Sequence, residues 1–189
     1  MNAHVHAALL AAALLAVPVA AGGQAGADAQ AARRARAVAA SSLGEPFRSA
    51  GQEYRLVHDL RAVEVRGPAS RSAAVGAGAE VIEHRGPFVV LRETGSAAPS
   101  ARAVAVNVRT GQLGVVTGTI TARVASAAEA ATAARGAGVS LDLSSPATGW
   151  AFFQAAEGAD VLAAVAVLAG RPGLSRVEAE VKEAWDQPE

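Results

Sequence analysis

The chain has 189 residues, room for one ordinary domain or two small ones, and it balances 17 Lys and Arg against 17 Asp and Glu. A formal net charge of zero excludes the electrostatic footprint of a nucleic-acid partner. The lack of Cys excludes disulfides, thiolate metal sites, iron–sulfur clusters and a lipoprotein anchor, so burial alone must stabilise the fold.

In chain order, residues 7–21 (AALLAAALLAVPVAA) form an apolar run shorter than the roughly 18 residues of a membrane span. Small residues precede two cleavage points, after Ala21 and after Ala29. Residues 1–29 therefore read as a signal peptide, although its first segment has no Lys or Arg. The expectation is an exported protein, periplasmic or secreted, with no membrane contact once the signal is removed. Residues 30–46 read as a flexible or frayed-helical leader. Its Arg33, Arg34 and Arg36 suit a solvated face better than a protease processing site.

Residues 47–116 read as β-rich. Segments 54–57 and 62–66 alternate, and two hairpins are expected, 80–83 with 88–92 and 104–108 with 113–116. Ahead of the first hairpin, the segment between Arg66 and Glu80 is Gly-broken and has room for one or two helical turns at most.

Residues 117–183 parse as strand, helix, strand, strand, helix, strand. Ser126 caps a helix over 126–135 with Glu129 at the capping-box position, and Gly136 and Gly138 end it. Asp160 caps a second helix carrying Val161, Leu162, Val165 and Leu168, which Gly170 and Pro172 stop. Val177, Ala179 and Val181 then alternate with polar residues, as a half-buried strand requires. The fold class expected is α+β: a ferredoxin-like (βαββαβ) C-terminal domain with an antiparallel sheet, preceded by a small β-rich region. A weaker echo of the same order lies at 61–92. Whether the halves form one domain or two stays open.

Alternation places Ile120, Ala122, Val124, Leu141, Leu143, Phe153, Val177 and Val181 on the helix-covered face, with Leu162, Val165 and Leu168 above them. Trp150 and Phe152, beside Thr121 and Arg123, fall on the opposite face. Aromatics grouped on an uncovered sheet mark a partner site unless the β-rich half packs over them. Catalytic constellations are thin. Only His58 and His84 follow the signal, His58 next to Asp59, and no nucleophile elbow, zinc spacing or phosphate loop occurs. No catalytic residue, metal or cofactor is expected.

At 117–183 the chain resembles the propeptides of subtilisin-like serine proteases. The likeness is carried by TGTITARV, an Ala-rich helix, and FFQAAEGADVLAAVAVLAGRPGLSRVEAEV followed by a polar tail. Within the last stretch, Gly158-Ala159-Asp160 opens the helix, Pro172-Gly173-Leu174 makes the turn, and Val177-Glu178-Ala179-Glu180 ends the strand. No protease domain follows, so the chain is similar to the external chaperones of secreted subtilisin/kexin-type proteases. The resemblance implies a protease partner, help in its folding, and blockade of its cleft by the tail 184–189. That tail contains Trp185, Asp186, Gln187, Pro188 and Glu189. The rival expectations are an exported structural or adhesion-type module with a ferredoxin-like fold, and a small hydrolase.

Overall fold

The computed structural model describes residues 22–65, 79–92 and 101–185. The signal-peptide run, the segment 66–78 and the end of the tail, 186–189, lie outside the described residues.

The elements run α1 (Gly22–Ala39), β1 (Leu43–Ser49), β2 (Gln52–Glu64), β3 (Glu80–Arg85), β4 (Phe88–Arg92), β5 (Arg102–Asn107), β6 (Leu113–Val124), α2 (Ala127–Ala137), β7 (Ser140–Ser145), β8 (Trp150–Gln154), α3 (Val161–Ala169) and β9 (Leu174–Lys182). Local chemistry accounts for the bounds of α2 and α3. The Ser126 hydroxyl accepts from the Glu129 N–H at 3.2 Å and donates to the Glu129 carboxylate at 3.0 Å, which starts α2. Gly138, at φ 68°, ends it in the left-handed region. The Asp160 carboxylate accepts from the Ala163 N–H at 3.0 Å and starts α3.

Of the two readings of the leader, 30–46, the helical one holds for its first part, which belongs to the single helix 22–39. Ala is the strongest helix former, and the composition read as flexible is mostly Ala, Arg and Gln. Tertiary contact then holds it. Ala37 and Val38 enter the first-half core, and Arg92 Nη2 donates to the Ala37 carbonyl at 2.8 Å. Arg34 leaves the solvated face to lie 3.3 Å from the buried Glu83 carboxylate, which Arg85 Nε approaches from its other oxygen at 2.5 Å. A carboxylate buried this fully is stable only because both guanidiniums pair with it.

The strands form one open sheet in the order β3-β4-β2-β5-β6-β8-β7, with β1 also on β2 and β9 also on β6; every pairing among the described residues is antiparallel. The two hairpins expected in the β-rich half are β3–β4 and β5–β6. The boundary placed at 116/117 does not exist as a break, because β6 runs unbroken across it. Its first residues pair with β5 and its later ones with β8, while β9 follows the other edge. Likewise 54–57 and 62–66 belong to one long β2.

The weak echo seen in sequence is matched in topology. In the first half β3-β4-β2-β5 lie side by side; in the second half β7-β8-β6-β9 do, each in the chain order second, third, first, fourth. Each half thus has a long first strand flanked by its third and fourth.

Cross-strand partners share a face, so the register defines two sides. On one, Ile120 faces Phe153 and Ala179, and Ile120 and Phe153 join Ala122, Val124 and Ala151 beneath Ala130, Ala133, Ala134 and Leu168 of the helices. Leu141, Val165 and Val177 pack on this cluster as expected. Val181 and Leu162 pack with the neighbouring cluster of Tyr54, Ala105, Val116 and Ala179. Leu143 departs from expectation, being 56% exposed. Leu141 opposes Phe153 but Leu143 opposes Phe152, so a bulge at Asp142 turns the strand over and sends Leu143 to the other face. On the first half of that other face, Val57, Leu60, Ala62, Ile82, Val90 and Val104 lie under Ala37 of α1.

The last strand is fastened to the first half. The Val181 N–H donates to Ser49 Oγ at 3.1 Å, and the Ala50 N–H donates to Glu178 at 2.9 Å. Just beyond β9, one Glu183 carboxylate oxygen accepts from the Tyr54 hydroxyl and from Asn107 Nδ2, each at 2.8 Å. Burial first, and then the Glu183 carboxylate it bonds to, push Tyr54 up to about 12 from the ordinary 10.0.

Two outcomes are expected. Phe153 has no solvent exposure, so Phe153→Ala should cost roughly 3–5 kcal/mol in chemical denaturation. An unchanged midpoint would mean that the faces are reversed. Because the folded pKa of Tyr54 is raised, its contribution is whole below pH 10 and is lost as pH climbs towards 12. Stability should therefore fall by about 1 kcal/mol between pH 9 and 11 in the wild type, and Tyr54→Phe should flatten that slope.

Candidate functional site

The second half of the sheet presents the face opposite the helices. Register brings the four residues singled out for it together: Thr121 lies across from Phe152 and Arg123 from Trp150. Leu143 and Ser145 of β7 extend the row, as partners of Phe152 and Trp150. On the far side of β6, Glu178 lies across from Thr121. The patch thus has an aromatic and aliphatic centre with polar groups at its edge, the composition of a protein-binding surface.

Its side chains are held in place. The Arg123 guanidinium carbon lies 4.5 Å from the centre of the Trp150 ring, and Nη1 donates to the Thr148 carbonyl at 2.7 Å. Gly149, at φ 68°, makes the turn that delivers Trp150 there. Trp150 and Phe152 are both half-buried, and neither belongs to any of the four apolar clusters among the described residues. Where α1 closes this side of the first half, no described helix covers it over the second.

The second expected site was the tail. Of its residues, Trp185 is described, and it is not free: its ring lies 5.5 Å from that of Phe88 and packs on the first-half core. A Cβ added to Gly86 would come within 2.5 Å of Trp185, so the β3–β4 turn needs glycine for this contact as well as for its φ of 55°. Arg85 Nη1 donates to the Glu183 carbonyl at 2.8 Å, and Nη2 donates to Gln112 at 2.8 Å. Asp186, Gln187, Pro188 and Glu189 lie outside the described residues.

Sequence reading did not find Tyr54, Arg85, Asn107 and Glu183 as a group. The only available signals were single: one Tyr in the whole chain, and a Glu directly after the last strand. Nothing in local spacing links residues so far apart.

His58 and His84 are both exposed and lie on different strands. A cleft of about 290 Å³ between the halves is lined by His58, Arg61, Arg102 and Asp160 amid apolar groups, and no Ser, Thr, Lys or Tyr is among the described residues that line it. Among the described residues no cluster of three or more His, Asp or Glu could hold a metal.

Comparison with known proteins gives two likenesses. The family described as Open reading frame 2 N-terminal domain matches residues 31–188. Among solved structures the chain is similar to one described as the crystal structure of Aeromonas sobria serine protease (ASP) and the chaperone (ORF2) complex. The identity is 19%, over 77% of this chain and 100% of that one, with a TM-score of 0.40. No curated protein matches the sequence. The family match takes in α1 from its middle, both halves of the sheet and the tail, and the chain belongs to the Open reading frame 2 N-terminal domain family.

Proposed function

We propose that the chain is a non-enzymatic partner of a secreted subtilisin-type serine protease, serving as a chaperone in its folding and as an inhibitor of its cleft. The observation that carries this reading is the sheet side that α1 closes over the first half and that no described helix covers over the second, where the half-buried Trp150 and Phe152 lie. The residues 117–183 form a ferredoxin-like unit in this reading, as the resemblance to subtilisin propeptides implies. The family's designation supports it: ORF2 is also the designation of the chaperone that a serine protease holds in the solved complex.

This face is the docking surface, because aromatics fixed by register and by a cation–π contact lose little freedom on binding. The tail is the blocking element. An extended peptide adds main-chain hydrogen bonds to a cleft edge whatever its side chains, and Pro188 restricts the free tail beforehand. Export is part of the proposal, with cleavage after Ala21. Cutting after Ala29 would remove the first turns of α1, whereas cutting after Ala21 leaves the helix whole.

Two experiments test the reading. Replacing Trp150 and Phe152 together by Ala should weaken protease binding by about 2 kcal/mol or more, while moving the denaturation midpoint far less than Phe153→Ala does. A large loss of stability with unchanged affinity would assign these rings to internal packing instead. Deleting residues 186–189 should leave binding within about twofold and abolish inhibition of peptide hydrolysis, since docking and blockade reside in different parts of the chain. A truncated chain that inhibits as well as the full one would refute the blocking role.

A further inference from the structure

We infer that the segment from Glu183 to Trp185 is an internal latch, through which the first half of the chain sets where the inhibitory tail leaves the molecule; the inference rests on the protease-partner reading above. After β9 ends at Lys182, a polar segment would ordinarily be unrestrained. Here three independent contacts hold it, and all of them come from the β-rich half. The Glu183 carboxylate is gripped by Tyr54 and Asn107, its carbonyl by Arg85, and the Trp185 ring by Phe88 and the Gly86 turn.

Arg85 is the centre of the arrangement. Its three nitrogens reach three different elements: Nε the buried Glu83, Nη1 the Glu183 carbonyl, and Nη2 Gln112 in the β5–β6 turn. Glu83 in turn pairs with Arg34 of α1. A guanidinium with a fixed planar fork, oriented by a buried carboxylate, positions its acceptor more narrowly than a flexible ammonium would. Arg85 and Trp185 are thus positioning residues for the tail. Neither needs to touch the protease.

The geometry matters because reach is limited. Residues 186–189 can span at most about 14 Å. A point of departure fixed at Trp185 therefore selects which cleft they can enter, and keeps their local concentration there high. Release of the latch would move the tether back to Lys182 and spread the same tail over a larger volume, lowering its effective concentration. The inference also gives the β-rich half a task of its own: it holds the end of the domain that docks.

The test uses a subtilisin-type protease that the wild-type chain inhibits, in active form and with its catalytic serine replaced by alanine. Trp185→Ala should bind the inactive protease within about twofold of wild type, yet require roughly tenfold or more chain for half inhibition of the active enzyme. Trp185→Phe, which keeps a ring against Phe88, should restore inhibition. A second variant leaves every latch contact intact: Gly-Gly inserted between Trp185 and Asp186 lengthens the free tail by about 7 Å and should weaken inhibition likewise, with binding and thermal midpoint unchanged. The inference fails if the insertion inhibits as well as wild type. It also fails if Trp185→Ala inhibits normally, or loses binding and inhibition in equal measure. A wild-type chain that binds active and inactive protease in neither case overturns the underlying reading itself, a different result from either of these.

Discussion

One strand, β6, has to satisfy three neighbours. Its one edge belongs to β9 throughout, but its other edge passes from β5 to β8 partway along. Where the change occurs, the pairing with β9 slips between Val116 and Ile120. Gly118 sits in that slip at φ 93°. A Cβ there would come within 2.7 Å of the Gln154 amide and 2.8 Å of the Arg102 guanidinium, one from each half. The glycine therefore permits both the backbone conformation and the close approach of the two halves. With the Ser49, Tyr54 and Asn107 contacts to β9 and Glu183, this residue sets the second half against the first.

The two halves share a strand order but close their surfaces differently. Over the second half, α2 meets the sheet through Ala130, Ala133 and Ala134, side chains so small that the helix lies close and Phe153 alone fills much of the space. Over the first half, α1 and Trp185 come to the opposite side. On that side, among the described residues, α1 lies over the first half and no helix lies over the second.

How much of this could be read from sequence depended on distance along the chain. The caps Ser126 and Asp160, the alternation through Val177, Ala179 and Val181, and the β3–β4 hairpin are each decided within a few residues, and each is found in the fold. The facing of Trp150, Phe152, Thr121 and Arg123 followed from strict alternation and was legible for the same reason. Leu143 was misplaced because a bulge reverses parity and leaves no mark in composition. The continuity of β6 was missed because Thr117-Gly118 has the look of a turn, although here the glycine serves a slip within a strand. Helix α1 was undervalued because its Ala and Arg carry no apolar stripe, and a buried Glu83 waiting to pair with Arg34 is visible only in three dimensions. The Glu183 contacts, spanning nearly the whole chain, had no local signature at all.

The order in which the chain is made bears on that last feature. The strand that completes the sheet, β9, and the ring of Trp185 are the final described parts of the polypeptide, yet their partners include Ser49, Tyr54 and Phe88, which emerge long before. Contacts of such wide sequence separation form late and slowly. A growing chain can assemble the β3–β4 hairpin and the capped helices, but β6 keeps an open edge until β9 arrives. The sheet thereby waits for β9: a chain cut short before that strand lacks the partner that closes β6.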